Sequence, residues 1–277
     1  MPPTTQAIPL AALLPPSPTA PSEHLRLPAA VLGPLPASSA LHAALAGAGA
    51  GGALLVTGPK AAFLGALEDE DEGYLRDTCP LGQLEKVQTR HVPSRRHAAL
   101  LLSLLTGTVA AAGKDAPHEV TPSPSLIVLF DLGALFLLPL DDERENVPMG
   151  EEGEKQHVKE REDAPDASSA GYLQLVAAAL SAARHLGAGL LVLEPSLASL
   201  PVSEGDGAAR RVALSDGLEW LFGPGSVATV SDTGDDTYAL HLGTETVGLR
   251  CRRCARGEYA LPPGAGDEGG WQWEWAA

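Results

Sequence analysis

Two turns of the sequence carry side chains that could bind a phosphate group and its metal ion. The first follows an apolar run at 53–57 and contains Gly58 and Lys60. A strand that leads into glycine, lysine and a helix is the context of a phosphate-binding loop, in which backbone amides and the lysine hold the phosphates. The second is Asp131, which ends the apolar run 125–130 and could hold Mg²⁺ through its carboxylate. Lys60 and Asp131 are therefore the candidates for a nucleotide site.

The first turn departs from the pattern G-x-x-x-x-G-K-[ST] of such loops. Pro59 separates Gly58 from Lys60, and Ala61 stands where a hydroxyl would hold the metal. No glutamate follows Asp131 to activate a water molecule. An ordinary strand-to-helix turn remains the alternative for this segment. We expect no ATPase activity, no catalytic residue, and no required ATP or Mg²⁺ cofactor.

Two groups of basic residues could contact phosphates or an acidic partner, with a solvated surface as the alternative. The first group lies within seven residues and consists of Arg250, Arg252, Arg253 and Arg256. The second opens a helical segment and consists of Arg90, His91, Arg95, Arg96 and His97. We take the first group as the candidate DNA-binding residues.

Cys251 and Cys254 form a CxxC pair, which could be half of a zinc site, a redox pair or a turn between two strands. A structural zinc site needs four ligands, and no other cysteine or histidine stands at a matching spacing. We therefore expect no metal site.

Three tryptophans recur at every second position near the C-terminus: Trp271, Trp273 and Trp275. In an extended strand they point the same way, and a row of indoles favours burial. Either they form an edge strand packed on this domain, or they bind a partner by strand addition. They are the candidate partner-binding residues.

The charge distribution separates acidic segments from the rest of the chain. The 277 residues carry a formal net charge of −16, and residues 68–72 and 141–169 hold twelve of these excess charges. The second segment has no apolar periodicity and predicts a long solvated loop. The remainder is nearly neutral and could still serve a complex bound to DNA. Three cysteines exclude a disulfide framework, and no apolar run reaches the roughly 18–20 residues of a membrane span.

Apolar and helical runs alternate along the middle of the chain. Consecutive apolar residues predict strands buried on both faces at 53–57, 125–130 and 189–194. Helical segments at 94–105 and 172–186 separate them, and short strand-like runs after residue 226 predict an antiparallel meander. The fold class predicted is α/β, with a mainly parallel sheet flanked by helices and a C-terminal antiparallel meander.

The predicted domain spans residues 37–262 and contains the acidic loop at 141–169. Residues 1–36 hold ten of the 24 prolines and predict a flexible arm that packs only in part. Residues 263–277 form a Trp-rich C-terminal tail.

In their order along the chain, these segments resemble the RecA-like core of the recombinase paralogues. The similarity covers roughly residues 50–262 and includes LEKVQTRHVPSRRHAALLLSLL, PSPSLIVLFD, GLLVLE and VGLRCRRCARGEYALP. Most closely, the chain resembles the small RecA-like subunit that pairs with a SWIM-domain protein in Shu-type complexes.

This resemblance implies a non-catalytic nuclear protein of homologous recombination repair. Its partners would be a SWIM-domain protein or another RecA-like paralogue, a recombinase, and single-stranded or forked DNA reached through the complex, without a membrane. Lys60 would lie near the family's phosphate-loop lysine and Asp131 at its second nucleotide motif. One alternative is a RecA-like subunit of the Elongator accessory complex in tRNA modification. Another is a weak ATPase that uses Lys60 and Asp131.

Overall fold

The computed structural model describes residues 6–15, 19–70, 79, 81–111, 123–137, 169–198, 206–253 and 271–276. The acidic loop predicted at 141–169 lies outside these ranges except for its last residue, and so do Cys254 and Arg256. No helix in the described ranges is long and apolar enough to cross a membrane.

Strands and helices alternate through the described ranges, in which no helix lies among the last four strands. The strands are β1 (Ala7–Pro9), β2 (His24–Arg26), β3 (Ala29–Leu32), β4 (Ala53–Thr57), β5 (Val87–His91), β6 (Leu126–Phe130), β7 (Gly189–Glu194), β8 (Val227–Gly234), β9 (Thr237–Leu242), β10 (Glu245–Arg253) and β11 (Trp271–Trp275). The α-helices are α1 (Ser38–Gly47), α2 (Lys60–Glu68), α3 (Leu81–Leu84), α4 (Arg95–Ala111), α5 (Ala134–Leu137), α6 (Ser169–Leu186) and α7 (Asp206–Phe222). Short 3-10 helices occupy Leu10–Leu13 and Pro195–Ala198.

One nine-stranded sheet organises the fold, in the order β11-β10-β9-β8-β3-β7-β6-β4-β5. The six strands from β8 to β5 in this order are parallel, and β8 to β11 pair antiparallel in sequence order. The predicted fold class is confirmed: a mostly parallel α/β sheet flanked by helices, with a C-terminal antiparallel run. The strands predicted at 53–57 and 189–194 have the observed bounds.

Alternate residues of the central strands pack on opposite faces of the sheet. In β6, Val128 joins the core under α1, whereas Ile127 and Leu129 join the core under α4, α6 and α7. Both faces are therefore apolar, which explains why the central strands read as unbroken apolar runs rather than alternating ones.

The prediction of a flexible arm at 1–36 is wrong for the residues that the structure describes. Ala29–Leu32 forms β3, which lies in the middle of the sheet between β7 and β8. Leu10, Leu13 and Leu25 are buried in the α1 face of the core. Of the described prolines of this segment, Pro9 is the last residue of β1 and the others lie between the short elements. They do not prevent packing, because a proline disturbs a sheet only where its missing N–H is needed.

The Trp-rich tail also belongs to the domain. β11 pairs with β10, Trp275 is 3% exposed within the core, and the Trp273 ring packs 4.8 Å from the Tyr238 ring, measured between centroids. The edge-strand alternative therefore holds for the described tryptophans, and the Trp275 side chain is not available to a partner. The side chain of Trp271 is not described.

Candidate functional site

β3 and β7 are neighbours in the sheet, and the carboxyl ends of these two strands are where the topology predicts a ligand-binding crevice. β3 leads to α1 on one face, and β7 leads through a 3-10 helix to α7 on the other face. Adjacent parallel strands whose following helices lie on opposite faces leave a gap between their loops, and α/β proteins bind ligands in such gaps. The topology therefore selects this crevice as the candidate site.

The β3–α1 loop (residues 33–37) is the wall of the crevice that corresponds in position to a phosphate-binding loop. Residues 33–40 read Gly-Pro-Leu-Pro-Ala-Ser-Ser-Ala. Compared with G-x-x-x-x-G-K-[ST], Gly33 matches the first glycine, while Ser38, Ser39 and Ala40 replace the second glycine, the lysine and the hydroxyl residue. Two prolines also remove two backbone N–H groups from the loop. Sequence reasoning missed this loop, although its signal was an apolar run directly before glycine and serines.

Glu194 is the last residue of β7, at the carboxyl end that borders the predicted crevice, and is completely buried. Tyr172, on α6, donates its hydroxyl proton to Glu194 Oε1 at 2.7 Å, and the Gly133 amide donates to Oε2 at 2.8 Å. Burial, and then the charge of Asp131, raise the pKa of Glu194 to about 8, although its hydrogen bonds oppose the rise. Glu194 is therefore a protonated carboxylic acid at neutral pH. A strand ending in a carboxylate, like that of Asp131, was the signal that could have found it.

Asp131 follows β6 and lies close enough to Glu194 to raise its pKa. Its backbone φ is 55°, a left-handed conformation that aspartate tolerates better than most residues. The Ser196 amide donates to Asp131 Oδ1 over a long 3.4 Å. Burial raises the pKa of Asp131, and hydrogen bonding from Ser196 opposes this. The crevice thus holds two carboxyl groups.

Glu70 brings a third carboxyl group to the β3–α1 loop. The Ser38 amide, at the amino end of α1, donates to Glu70 Oε1 at 2.9 Å. Glu70 is 6% exposed, although it belongs to the acidic run 68–72. The unpaired backbone amides at the start of a helix favour a negative group, which accounts for its burial here.

Lys60 does not lie at this crevice. It is the first residue of α2 and is exposed, and β6 and β7 separate its strand β4 from β3. Its turn does approach Asp131, because a Cβ added to Gly58 would lie 3.6 Å from the Asp131 carbonyl oxygen. The structure therefore brings the predicted lysine turn and the predicted aspartate to neighbouring strand ends, but not to the loop that follows β3.

Three basic residues lie instead at the carboxyl ends of β4 and β5, and we call them the edge basic group: Lys60, Arg90 and His91. Arg90 and His91 are successive residues of β5, so their side chains point to opposite faces of the sheet. His91 Nδ1 lies 2.7 Å from Thr57 Oγ1. Burial, and then the nearby Lys60 charge, lower the pKa of His91. Two basic segments that are 30 residues apart in sequence thus meet at one edge of the sheet.

The predicted DNA-binding arginines lie on β10 as far as they are described. Arg250 is exposed, and its Cα partners are Thr237 on β9 and Glu274 on β11. Arg252 and Arg253 pair through their backbones with Gln272 and Trp271, while their side chains are not described. Arg250 therefore has a carboxylate residue as a cross-strand neighbour, which reduces the positive potential around it.

The crevice resembles a nucleotide site in its position but not in its charges. Its described polar groups are carboxyl groups, a phenol, serine hydroxyls and backbone amides, with no lysine or arginine among them. In the described ranges, the crevice included, no three histidine, cysteine, aspartate or glutamate side chains come together to hold a metal ion. Phosphate binding and hydrolysis both need positive charge at the phosphates, so these residues are unsuited to that chemistry.

Comparison with known proteins adds no family assignment. No protein-family model matches the chain, and no curated protein is significantly similar to it in sequence.

Proposed function

We propose that the chain is a non-catalytic RecA-like subunit of a heteromeric recombination-mediator complex. It assists the assembly of a recombinase on single-stranded DNA during homologous recombination repair in the nucleus. Its partners are a SWIM-domain protein or another RecA-like paralogue, and the recombinase.

The observation that carries this proposal is the combination of a parallel sheet with a loop that cannot serve phosphate chemistry. The β3–α1 loop occupies the place of a phosphate-binding loop, yet it has serine where the lysine belongs and receives the Glu70 carboxylate. A chain that keeps the scaffold of a nucleotide enzyme and lacks its charges is suited to assembly rather than turnover.

Two surfaces are candidates for contact with DNA within the complex. One is the arginine group on β10, represented by Arg250, and the other is the edge basic group. Since an acidic chain of charge −16 repels phosphates at long range, we expect appreciable DNA affinity only when the partner is bound.

The test is single-stranded DNA binding as a function of salt, for the chain alone and with its SWIM-domain partner. We expect the complex to bind more tightly than either component. Within the complex, Arg252→Ala with Arg253→Ala reduces the slope of log affinity against log salt by roughly 0.7 for each lost phosphate contact. The double variant Lys60→Ala with Arg90→Ala tests in the same way whether the edge basic group contacts DNA.

Arg184→Ala is the matched control, because Arg184 is exposed in the last turn of α6, away from both basic groups. If neither double variant changes this slope, the result would contradict the proposed DNA contact of this subunit. Copurification from native extract tests the pathway separately. Recovery of a recombinase and a SWIM-domain protein supports the proposal, whereas recovery of Elongator subunits would overturn it in favour of tRNA modification.

A further inference from the structure

An open cavity lies at the opposite end of the sheet from the crevice, where β4, β5 and β6 begin. Its volume is about 440 Å³, which is within the range of pockets that hold small organic molecules. One part of its lining is the segment between α1 and β4, which we call the glycine loop (residues 49–52). The other lining residues lie at the starts of the three strands: Ala53, Glu85, Lys86, Gln88 and Pro124.

The glycine loop is held closely between the segments that lead into β5 and β6. A Cβ on Gly51 would overlap the Ser123 carbonyl oxygen, and a Cβ on Gly52 would lie 2.7 Å from the Lys86 carbonyl oxygen. Neither position could carry a larger side chain unless the backbone moved. The two glycines therefore allow the loop backbone to lie directly beside the start of β5.

The glycine loop is anchored through carbonyl groups, while its amides remain available. The Ser125 hydroxyl lies 2.7 Å from the Ala48 carbonyl oxygen, 2.8 Å from that of Gly52 and 3.0 Å from that of Gly47. The Ser125 amide also donates to the Gly52 carbonyl, at 2.9 Å. In contrast, no described residue accepts a hydrogen bond from the amides of residues 49–52. Four consecutive donors are therefore left for a ligand or for water.

Two of these amides belong to a turn that favours an anion. Ala48 has φ −61° and ψ −25°, a right-handed conformation, and Gly49 follows with a left-handed φ of 43°. Such a pair directs successive amides into one concavity, which binds anions. Within the described part of the chain, only the Ala48 amide of this turn has an acceptor, the Leu45 carbonyl at 3.3 Å. The amides of Gly49 and Ala50 are free, and both residues are exposed.

Lys86 brings a positive charge to the same cavity. Its side chain is exposed and lines the cavity together with the glycine loop. Backbone amides and an ammonium group are a combination that binds oxyanions. The neighbouring Glu85 is also exposed and lines the cavity, so its charge opposes an anion there.

We propose that this cavity binds a small organic ligand through an oxyanion, which is either a phosphate or a carboxylate group. The oxyanion accepts hydrogen bonds from the amides of Gly49 and Ala50 and pairs with the Lys86 ammonium group, while Glu85 limits its affinity. This inference goes beyond the proposed function, because the site lies at the other end of the sheet from the crevice and holds whichever complex the chain joins.

The test is an NMR titration of the full chain with sodium phosphate and with sodium acetate. Sodium chloride of equal ionic strength is the reference for both salts. The readout is the shift of the Gly49 and Ala50 amides, from which the affinity for each anion is fitted. The anion that binds more tightly identifies the class of the ligand, phosphate or carboxylate.

Two variants change the charges of the cavity in opposite directions. Lys86→Met removes the cation and keeps an apolar chain of similar length, whereas Glu85→Gln removes the opposing carboxylate. Arg184→Met and Glu219→Gln are their matched controls. They change the net charge of the protein by the same amounts, at exposed positions that do not line the cavity.

We expect phosphate or acetate to move both amides under conditions in which chloride does not. Lys86→Met should weaken the fitted affinity roughly two- to fivefold, and Glu85→Gln should strengthen it by a similar factor, as is usual for charges exposed to water. The two control variants should bind the anion as tightly as the wild type does.

Equal amide shifts in all three salts would overturn the proposal. Equal effects of Lys86→Met and Arg184→Met would also overturn it, because the response would then follow the net charge of the protein rather than the cavity. Both cavity variants replace exposed side chains, so we expect them to fold as the wild type does.

Discussion

Tyr172 donates a hydrogen bond to Glu194 across 2.7 Å, at a depth where neither side chain is exposed to solvent. The bond joins helix α6 to the last residue of the central strand β7. Because Gly133 donates to the other oxygen of the same carboxyl group, the loop after β6 is tied to the same point. The geometry of the crevice therefore depends on one buried carboxyl group.

The first prediction concerns the pH dependence of stability. Glu194 keeps its proton up to about pH 8 in the folded protein, whereas the ordinary pKa of a glutamate is 4.5. Between these values the folded state binds more protons than the unfolded state, so the free energy of unfolding falls as the pH rises. We expect Glu194→Gln, which is neutral throughout, to have a flatter profile than the wild type in urea unfolding from pH 5 to 9.

Two neighbours of Glu194 titrate as well and must be considered. The pKa of Asp131 is raised, mainly by burial, so Asp131 also lowers the free energy of unfolding as the pH rises. The pKa of Tyr172 is raised well above its usual value of 10.0, so Tyr172 keeps its proton throughout the measured range. Glu194→Gln should therefore retain a smaller slope, which the addition of Asp131→Asn reduces further. Glu219→Gln on the exposed face of α7 is the control, and equal slopes for it and Glu194→Gln would refute the prediction.

The sequence predicts the central strands well, because strands buried on both faces leave a simple pattern of consecutive apolar residues. β3 escapes that pattern: it has only four residues, with Pro28 before it and Gly33 after it, in a segment rich in proline. The crevice follows from the position of β3, so missing this strand moved the predicted nucleotide loop to Lys60.

The sequence also provides no indication of Glu70, because the charge of a residue does not by itself determine whether it is buried. Glu70 lies in a run of five acidic residues that carries no sequence signal of burial, yet Glu70 is buried against the start of α1. Only the three-dimensional partner, an amide 32 residues away in sequence, distinguishes it from its neighbours.

The second prediction tests the close approach of the β3–α1 loop to β8. Gly33 has φ 112°, and a Cβ there would lie 2.2 Å from the Val230 carbonyl oxygen. Gly33→Ala combines backbone strain with a clash against backbone, and we expect a loss of about 3 kcal/mol or more in the free energy of unfolding. Chemical denaturation measures it.

Gly187→Ala separates the two effects of that substitution. Gly187 has φ 69° after the end of α6, but a Cβ there would meet nothing within 4 Å. Its cost should be that of the left-handed backbone alone, roughly 1–2 kcal/mol. If Gly33→Ala were no more harmful than Gly187→Ala, the loop would not be held against β8 as described.

The third prediction asks whether the last strand belongs to the folded domain. Trp275 is 3% exposed and packs in the α1 face of the core, and its carbonyl oxygen accepts from the Thr19 hydroxyl at 2.9 Å. Trp275→Ala removes a large buried ring and should cost about 3–5 kcal/mol in denaturant unfolding. Trp220, which is 85% exposed on α7, is the matched tryptophan, and Trp220→Ala should change stability by less than about 0.5 kcal/mol. Similar small losses for both variants would mean that β11 contributes nothing to the core, and would return its tryptophans to the role of partner-binding residues.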